Sequence, residues 1–402
     1  MPSQRSEVPP FQVMTVLDRV ARLRATGREV ISLCAGEPAQ GAPTAVNQAA
    51  ARLHAANRPF GYTSALGIWP LREALAEHYR GWYGIDVDPA HVALTTGSSG
   101  GFLLAFLAAF DAGDRVALAR PGYPAYRNIL SSLGCRVVDL DCGQETRFQP
   151  TVAQLEDAHR EAPLAGLVLA SPANPTGTMV SRAELAALSA WCTANGVQLV
   201  SDEIYHGVTY SGGRGTSARE FGEESIVVSS FSKYWGMTGW RLGWLVLPPS
   251  LVPAVDALAG NLALCPPAPA QNASLEAFTP ESYAECDAAV AEFAATRAHL
   301  LAAEPELGWG VSAPADGAFY YYADLGPQLE RFPTSDAYAE ALLDATGVAL
   351  TPGTDFDGRH GHRTVRISFA AGAAAVAAAV GRIVDFQRQP ASHSTAWPNS
   401  FP

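Results

Sequence analysis

Short β-branched or apolar runs alternate with longer helical patterns along most of the chain, and this alternation limits the fold more than any other feature. Parallel strands need a crossover of a dozen or more residues, usually a helix, so such repetition predicts an α/β protein with a mostly parallel sheet flanked by helices. Seven runs fit one large sheet: Val92 to Thr95, Arg115 to Ala119, Arg136 to Leu140, Gly166 to Ala170, Gln198 to Ser201, Ile226 to Ser229 and Leu242 to Leu247. Two long helical stretches follow, about Leu251 to Phe278 and Tyr283 to Ala303. The pattern then turns to strands at Phe319 to Asp324, Val348 to Leu350 and Val365 to Phe369, which predicts a second, smaller α+β domain. The 402 residues have room for both. The expected division is a large domain over 49–290, a small one over 291–388, and an N-terminal segment, 1–48, whose strand-like Val30 to Leu33 packs with the small domain. The alanine-rich stretch Ala370 to Val380 is a helix by propensity, and the polar tail 389–402 is expected to fray.

Charge narrows the function classes. The 39 acidic residues against 27 basic ones leave a net charge of −12, which repels phosphate backbones and anionic lipid. The longest unbroken apolar run, Phe102 to Phe110, is nine residues, well short of the ~20 that a bilayer span requires. Neither nucleic-acid binding nor a membrane span is expected, which leaves small molecules as the default partners. Residues 1–10 carry Arg5, Glu7 and three prolines where a secretory signal has an apolar core, and the six cysteines show no paired close spacing. A cytoplasmic protein with reduced thiols and no metal site is expected.

Only one of the 27 basic residues is a lysine, Lys233. A guanidinium does not deprotonate in proteins and cannot serve as a nucleophilic amine, so a lone lysine singles out amine chemistry. Composition bias would also leave one lysine, and the neighbours decide. Ile226 to Ser229 runs into Ser230-Phe-Ser-Lys233, with Thr238-Gly-Trp-Arg241-Leu-Gly243 just beyond. Another strand ends at Thr96 and meets the turn Gly97-Ser98-Ser99-Gly100-Gly101 before a helix expected near Phe102. There glycines permit close approach, while free amides and two hydroxyls make an anion site. The same five residues also match Gly-x-Ser-x-Gly, so a serine hydrolase using Ser99 with His360 or His362 stays open, as does a plain turn whose serines cap the helix. Ser171-Pro-Ala-Asn174-Pro-Thr-Gly177 consists of ordinary turn residues, yet it follows a strand end, where open α/β sheets bind ligands. Asp202-Glu-Ile-Tyr205 closes a further buried strand, and an acid there is costly unless it meets a cation or a protonated ring nitrogen.

In chain order, Ala35-Gly36-Glu37-Pro38, Gly61-Tyr62, the Gly97 turn, Pro121-Gly-Tyr123, Asn174-Pro-Thr-Gly177, Asp202-x-x-Tyr205, Ser230-x-x-Lys233, Gly239-x-Arg241-x-Gly243 and Arg366-Ile-Ser368 form one series. The series resembles the fold-type I pyridoxal-phosphate enzymes, specifically the class I/II aminotransferases related to aspartate aminotransferase, from about Val30 to Arg382. The resemblance implies pyridoxal 5'-phosphate held by Lys233 as a Schiff base, with the freed amine moving the substrate's α-proton. It implies that Asp202 keeps the pyridine nitrogen protonated, that Tyr205 and Asn174 donate to the ring's phenolic oxygen, and that Tyr123 stacks on the ring. Ser98, Ser99, Ser230 and Arg241 are implied to hold the phosphate, joined by Tyr62 from the second subunit of a homodimer. Arg366 is implied to bind the substrate α-carboxylate, with Gly36 offering backbone contact. The implied reaction moves an amino group between an L-amino acid and a 2-oxo acid in two ping-pong half-reactions.

Two departures narrow the substrate. Ser99 stands in the region where some related bacterial aspartate-type enzymes carry a lysine, and Tyr123 stands where the aspartate enzymes have tryptophan. A neutral or aromatic amino acid is expected rather than a dicarboxylate. A β-eliminating C–S lyase on the same fold is the nearest alternative. A nicotinamide-dependent oxidoreductase is disfavoured, because no Gly-x-Gly-x-x-Gly opens a helix after any expected strand. Nothing in the sequence gives Phe11, Cys34, Trp240 or Cys265 a role beyond packing.

Overall fold

A computed structural model describes residues 2–57 and 59–389, so most of the tail expected to fray, 390–402, lies outside the described residues. The strands, in chain order, are β1 (Ile31–Ser32), β2 (Val92–Thr95), β3 (Arg115–Arg120), β4 (Arg136–Asp141), β5 (Gly166–Ala170), β6 (Gln198–Asp202), β7 (Ile226–Ser230), β8 (Gly243–Val246), β9 (Tyr320–Asp324), β10 (Val348–Ala349), β11 (Thr351–Pro352) and β12 (Thr364–Ser368). Seven of them form one sheet in the order β2-β8-β7-β6-β5-β3-β4. The pairs β3·β4, β3·β5, β5·β6 and β6·β7 are parallel, and β8 alone runs antiparallel to both its neighbours. The central strands are buried almost throughout because helices cover the sheet on both faces; β7 is buried along its whole length.

This topology gathers the chemistry-bearing residues at one edge. The carboxyl ends of β2, β5, β6 and β7 lie on that edge, and so does the beginning of the reversed β8. The strand order changes direction between β3 and β5, the kind of switch point at which a doubly wound sheet opens a crevice. The second sheet is antiparallel, in the order β11-β12-β9, with Arg366 opposite Tyr322 and Ser368 opposite Tyr320. β1 pairs parallel with β10 through Ile31 and Val348. Three backbone hydrogen bonds lock the parts into register: Ser368 N to Leu33 O at 2.8 Å, Gly122 N to Phe356 O at 3.0 Å, and Gly317 N to Gly177 O at 2.9 Å.

Three elements differ from the sequence reading. The helix after β2 spans Gly97–Ala109, so Gly97 to Gly101 form its first turns and not a separate turn before Phe102. Burial of Phe102, Ala105 and Phe106 against Val228 and Leu245 offsets the poor helix propensity of the glycines. The expected helix from Leu251 to Phe278 is broken into Val252–Ala263, Ala268–Ala273 and a 3₁₀ segment, Ser274–Phe278. Pro266 and Pro267 lack the amides that would continue it. The C-terminal helix is Ala373–Arg388, beginning only after Gly372 at φ 90° and running past Val380.

Candidate active site

Lys233 lies just past β7, half-buried, and its Nζ donates to the Gly36 carbonyl at 2.6 Å. Burial pulls its pKa down to about 8. The guanidinium groups of Arg366 and Arg241 act the same way, while Glu37 and Asp202 oppose them. Because Lys233 is the only lysine, this is open to direct measurement. An amine-reactive reagent applied to the cofactor-free protein and followed at the Lys233 peptide should show a rate that rises with pH and levels off above about 8. A rate still rising through pH 10 would mean an ordinary, solvated amine.

Asp202 ends β6 and is 5% exposed. Burial raises its pKa to about 6, against the stabilising hydrogen bonds from Tyr126 and from the Ile204 amide (3.0 Å) and the attraction of Lys233. A carboxylate held by two donors in an apolar sheet edge is built to face a cation. Tyr126 belongs to the helix Pro124–Leu133, and its ring sits edge-on to Tyr123 with centroids 5.3 Å apart. Tyr123 caps that helix, is half-buried, and has Phe11 at 5.9 Å on another side.

The buried hydroxyl of Tyr205 meets that of Tyr320 at 2.7 Å. Arg366, 3% exposed, donates from Nη1 to Asn174 Oδ1 at 2.8 Å and from Nη2 to the Cys34 carbonyl at 2.6 Å. Its guanidinium carbon lies 4.4 Å from the Tyr320 ring centroid and 4.7 Å from that of Phe356. Arg366 Nε and Ser368 Oγ are buried without a hydrogen-bond partner among the described residues. Such groups are costly to leave unpaired, and they mark where an incoming acceptor gains most.

The head of the helix Gly97–Ala109 adjoins Arg241. Thr96 supplies no side-chain cap, so the first-turn amides remain available. Gly97 has φ +68°, and a Cβ there would fall 2.4 Å from Arg241 Nη2; one at Gly243 would fall 2.9 Å from the Ser98 amide. Glycine at both positions therefore keeps open a cradle in which a guanidinium faces free amides. Ser98 is half-buried and Ser99 exposed, while Ser230 is buried, its Oγ accepting from the Ser232 amide at 3.1 Å. Arg241 itself is held by Nη1 on the Thr238 carbonyl at 2.9 Å.

The sequence profile described as Aminotransferase class I and II matches residues 28–383. The chain belongs to this family. Valine--pyruvate aminotransferase of Mycobacterium tuberculosis is 52% identical over 382 residues, covering 94% of this chain and 96% of its own. A crystal structure of an aminotransferase from the same organism superposes with a TM-score of 0.92 at 50% identity, over 96% of this chain and 98% of that one. Aspartate aminotransferase from Thermus thermophilus with maleate gives 0.88 at 31% identity, over 96% and 99%.

In this aminotransferase the sequence-selected residues Gly36, Asn174, Asp202, Tyr205, Lys233 and Arg366 are linked by contacts or electrostatic coupling, and Gly97, Ser98 and Arg241 adjoin one another. Tyr62 stands apart, 83% exposed. The hydrolase alternative loses its geometry: Ser99, His360 and His362 are all exposed, and no hydrogen bond joins Ser99 to a histidine among the described residues. Cys34 does more than pack, since its carbonyl carries Arg366. Sequence reasoning missed Tyr126, one helical turn beyond Tyr123, and Tyr320, whose only signal is its place at the start of a tyrosine run. Among the described residues no helix is long and apolar enough to cross a membrane, and no group of three or more His, Cys, Asp or Glu is arranged to hold a metal.

Proposed function

We propose that this aminotransferase uses pyridoxal 5'-phosphate to pass the amine of a neutral L-amino acid to a 2-oxo acid, as a cytoplasmic homodimer with shared sites. The observation that carries the reading is the sole lysine, its pKa drawn down to about 8, electrostatically coupled to a buried carboxylate and to an arginine whose Nε has no partner among the described residues. The donor set suits the cofactor on its own chemistry. Arg241, the free amides of Gly97 and Ser98, and the hydroxyls of Ser98, Ser99 and Ser230 suit a phosphate. Asp202 suits a protonated ring nitrogen, and Tyr123 offers an aromatic face. The cradle at Gly97 and Gly243 would be filled by any side chain there.

Bound among these groups, the cofactor supplies an electron-withdrawing ring that makes the substrate's α-proton acidic. Arg366 receives the α-carboxylate, its partly engaged fork fixing the substrate's direction. With Asn174 Oδ1 occupied by Arg366, the amide nitrogen of Asn174 is left to donate toward the ring's phenolic oxygen, alongside Tyr205. Asp202, whose ionised form accepts from Tyr126 and the Ile204 amide, would hold the charge of a protonated ring nitrogen. Lys233 Nζ, readily neutral near pH 8, would take up the substrate's α-proton and give it back later in the half-reaction. Tyr62, an exposed aromatic, is free to reach the phosphate of a partner subunit.

A neutral side chain suits the surroundings. The first turn of the helix Gly97–Ala109 carries no basic residue to meet a distal carboxylate, and Phe11 places an apolar ring beside Tyr123. The Mycobacterium tuberculosis relative is itself named for valine and pyruvate. Mixing the cofactor-loaded enzyme with single amino acids and following the cofactor absorbance should rank valine, alanine or other neutral donors above aspartate and glutamate. Faster conversion by the dicarboxylates would overturn the substrate reading, and release of pyruvate and ammonia from a cysteine conjugate would favour the lyase.

A further inference from the structure

Tyr320 touches three of the groups on which that reading depends, although none of the roles above requires it. Its hydroxyl pairs with that of Tyr205 at 2.7 Å, its ring face lies 4.4 Å from the Arg366 guanidinium carbon, and a Cβ at Gly36 would fall 2.3 Å from its hydroxyl oxygen. Gly36 in turn holds Lys233 Nζ through its carbonyl. We infer that Tyr320 is a positioning residue which sets the Tyr205 hydroxyl for donation to the ring oxygen and couples it to the carboxylate-binding Arg366.

The pair Tyr205–Tyr320 has two hydroxyl hydrogens, and one bond between them uses one. When Tyr320 donates, the hydrogen of Tyr205 is released for a second acceptor while its oxygen stays satisfied. Without Tyr320, Tyr205 would have a buried oxygen lacking any donor, since no other hydrogen bond to it exists among the described residues. A cation over the Tyr320 ring draws electron density from it and so strengthens its hydroxyl as a donor. Neutralising Arg366 with a substrate carboxylate weakens that pull, so occupancy at one end of the site is felt at the other.

Antiparallel pairing sets Tyr320 opposite Ser368 and Tyr322 opposite Arg366, so all four side chains share one face of β9 and β12. Tyr320 is 1% exposed. It is thus a fixed plate beneath a guanidinium, with one polar end, and the two ends are separable by mutation: Tyr320→Phe removes only the hydroxyl, whereas Tyr320→Leu also removes the ring.

The inference rests on the cofactor reading above, and the experiment separates the two. In the cofactor-loaded enzyme, the pH midpoint of the cofactor absorbance, the single-turnover rate and the affinity for a non-reacting 2-methyl amino acid are measured for wild type and both variants. Weakening a donor to an anionic oxygen favours protonation of the chromophore, so the midpoint for Tyr320→Phe should rise by about half to one pH unit, with a roughly 3- to 10-fold slower turnover. Its affinity for the 2-methyl amino acid should stay within about twofold, whereas Tyr320→Leu should weaken it roughly 2- to 30-fold by losing the cation–π contact. Groups that also bear on the midpoint are Lys233, Asp202, Arg366, Arg241 and Glu37, and all are unchanged in both variants. A wild-type midpoint in Tyr320→Phe would overturn the positioning of Tyr205, and equal losses of affinity in the two variants would overturn the assignment of the ring to Arg366. A wild type showing no cofactor absorbance would instead overturn the reading on which the inference stands.

Discussion

Lys233→Arg should leave a folded protein that no longer transaminates. The substitution keeps the positive charge and much of the stem, so the hydrogen bond to the Gly36 carbonyl can be remade, but a guanidinium cannot give up a proton near neutral pH or bond covalently to an aldehyde. A positioned general base alone contributes ~10²–10⁴-fold, so the fall in single-turnover rate should be at least of that size. With no second lysine in the chain, no neighbouring amine can substitute. A circular-dichroism spectrum like that of wild type would show that the loss is chemical, and turnover within tenfold of wild type would sink the assignment.

Asp202→Asn should be nearly as disabling, with an opposite effect on the empty protein. For opposite charges ~4 Å apart at an effective dielectric of ~20, the lost attraction is about 4 kcal/mol, or ~10³-fold in rate if it is felt fully in the transition state. The cofactor-free protein should gain stability. Asp202 has its pKa raised by burial to about 6, from 3.8, so between those values the folded state binds the extra proton and stability falls as pH rises. Asparagine has no charge to bury, and at pH 7 the variant without cofactor should be more stable, by an amount on the order of 1–3 kcal/mol. At pH 4, close to the unfolded pKa, most of the advantage should be gone. A variant equally destabilised at both pH values would show that Asp202 contributes by packing rather than charge.

Much of the sheet was legible because buried parallel strands have few alternatives. Runs such as Ile226–Ser230 and Gly166–Ala170 are buried almost throughout, and their ends fall where polar motifs begin. The residues of the site at or just past strand ends, Asn174, Asp202 and Lys233, were legible for the same reason. Less legible was whatever depends on packing across the chain. Glycine's low helix propensity argued for a turn at Gly97, and only burial of Phe102 and Phe106 makes it a helix start. The partnership of Tyr126 with Asp202 spans 76 residues, and that of Tyr205 with Tyr320 spans 115. Neither pairing follows from local periodicity: the first needs a helix packed on β3 and β4 to reach the end of β6, and the second the register of the second sheet.

The most direct test is chemical and uses the single lysine. Protein loaded with pyridoxal 5'-phosphate is reduced with borohydride, digested, and the peptide containing Lys233 is weighed. The account predicts that this peptide carries one reduced cofactor and that the same treatment after exposure to an amino donor leaves it unmodified. An unmodified Lys233 peptide from the fully loaded, substrate-free protein would contradict it.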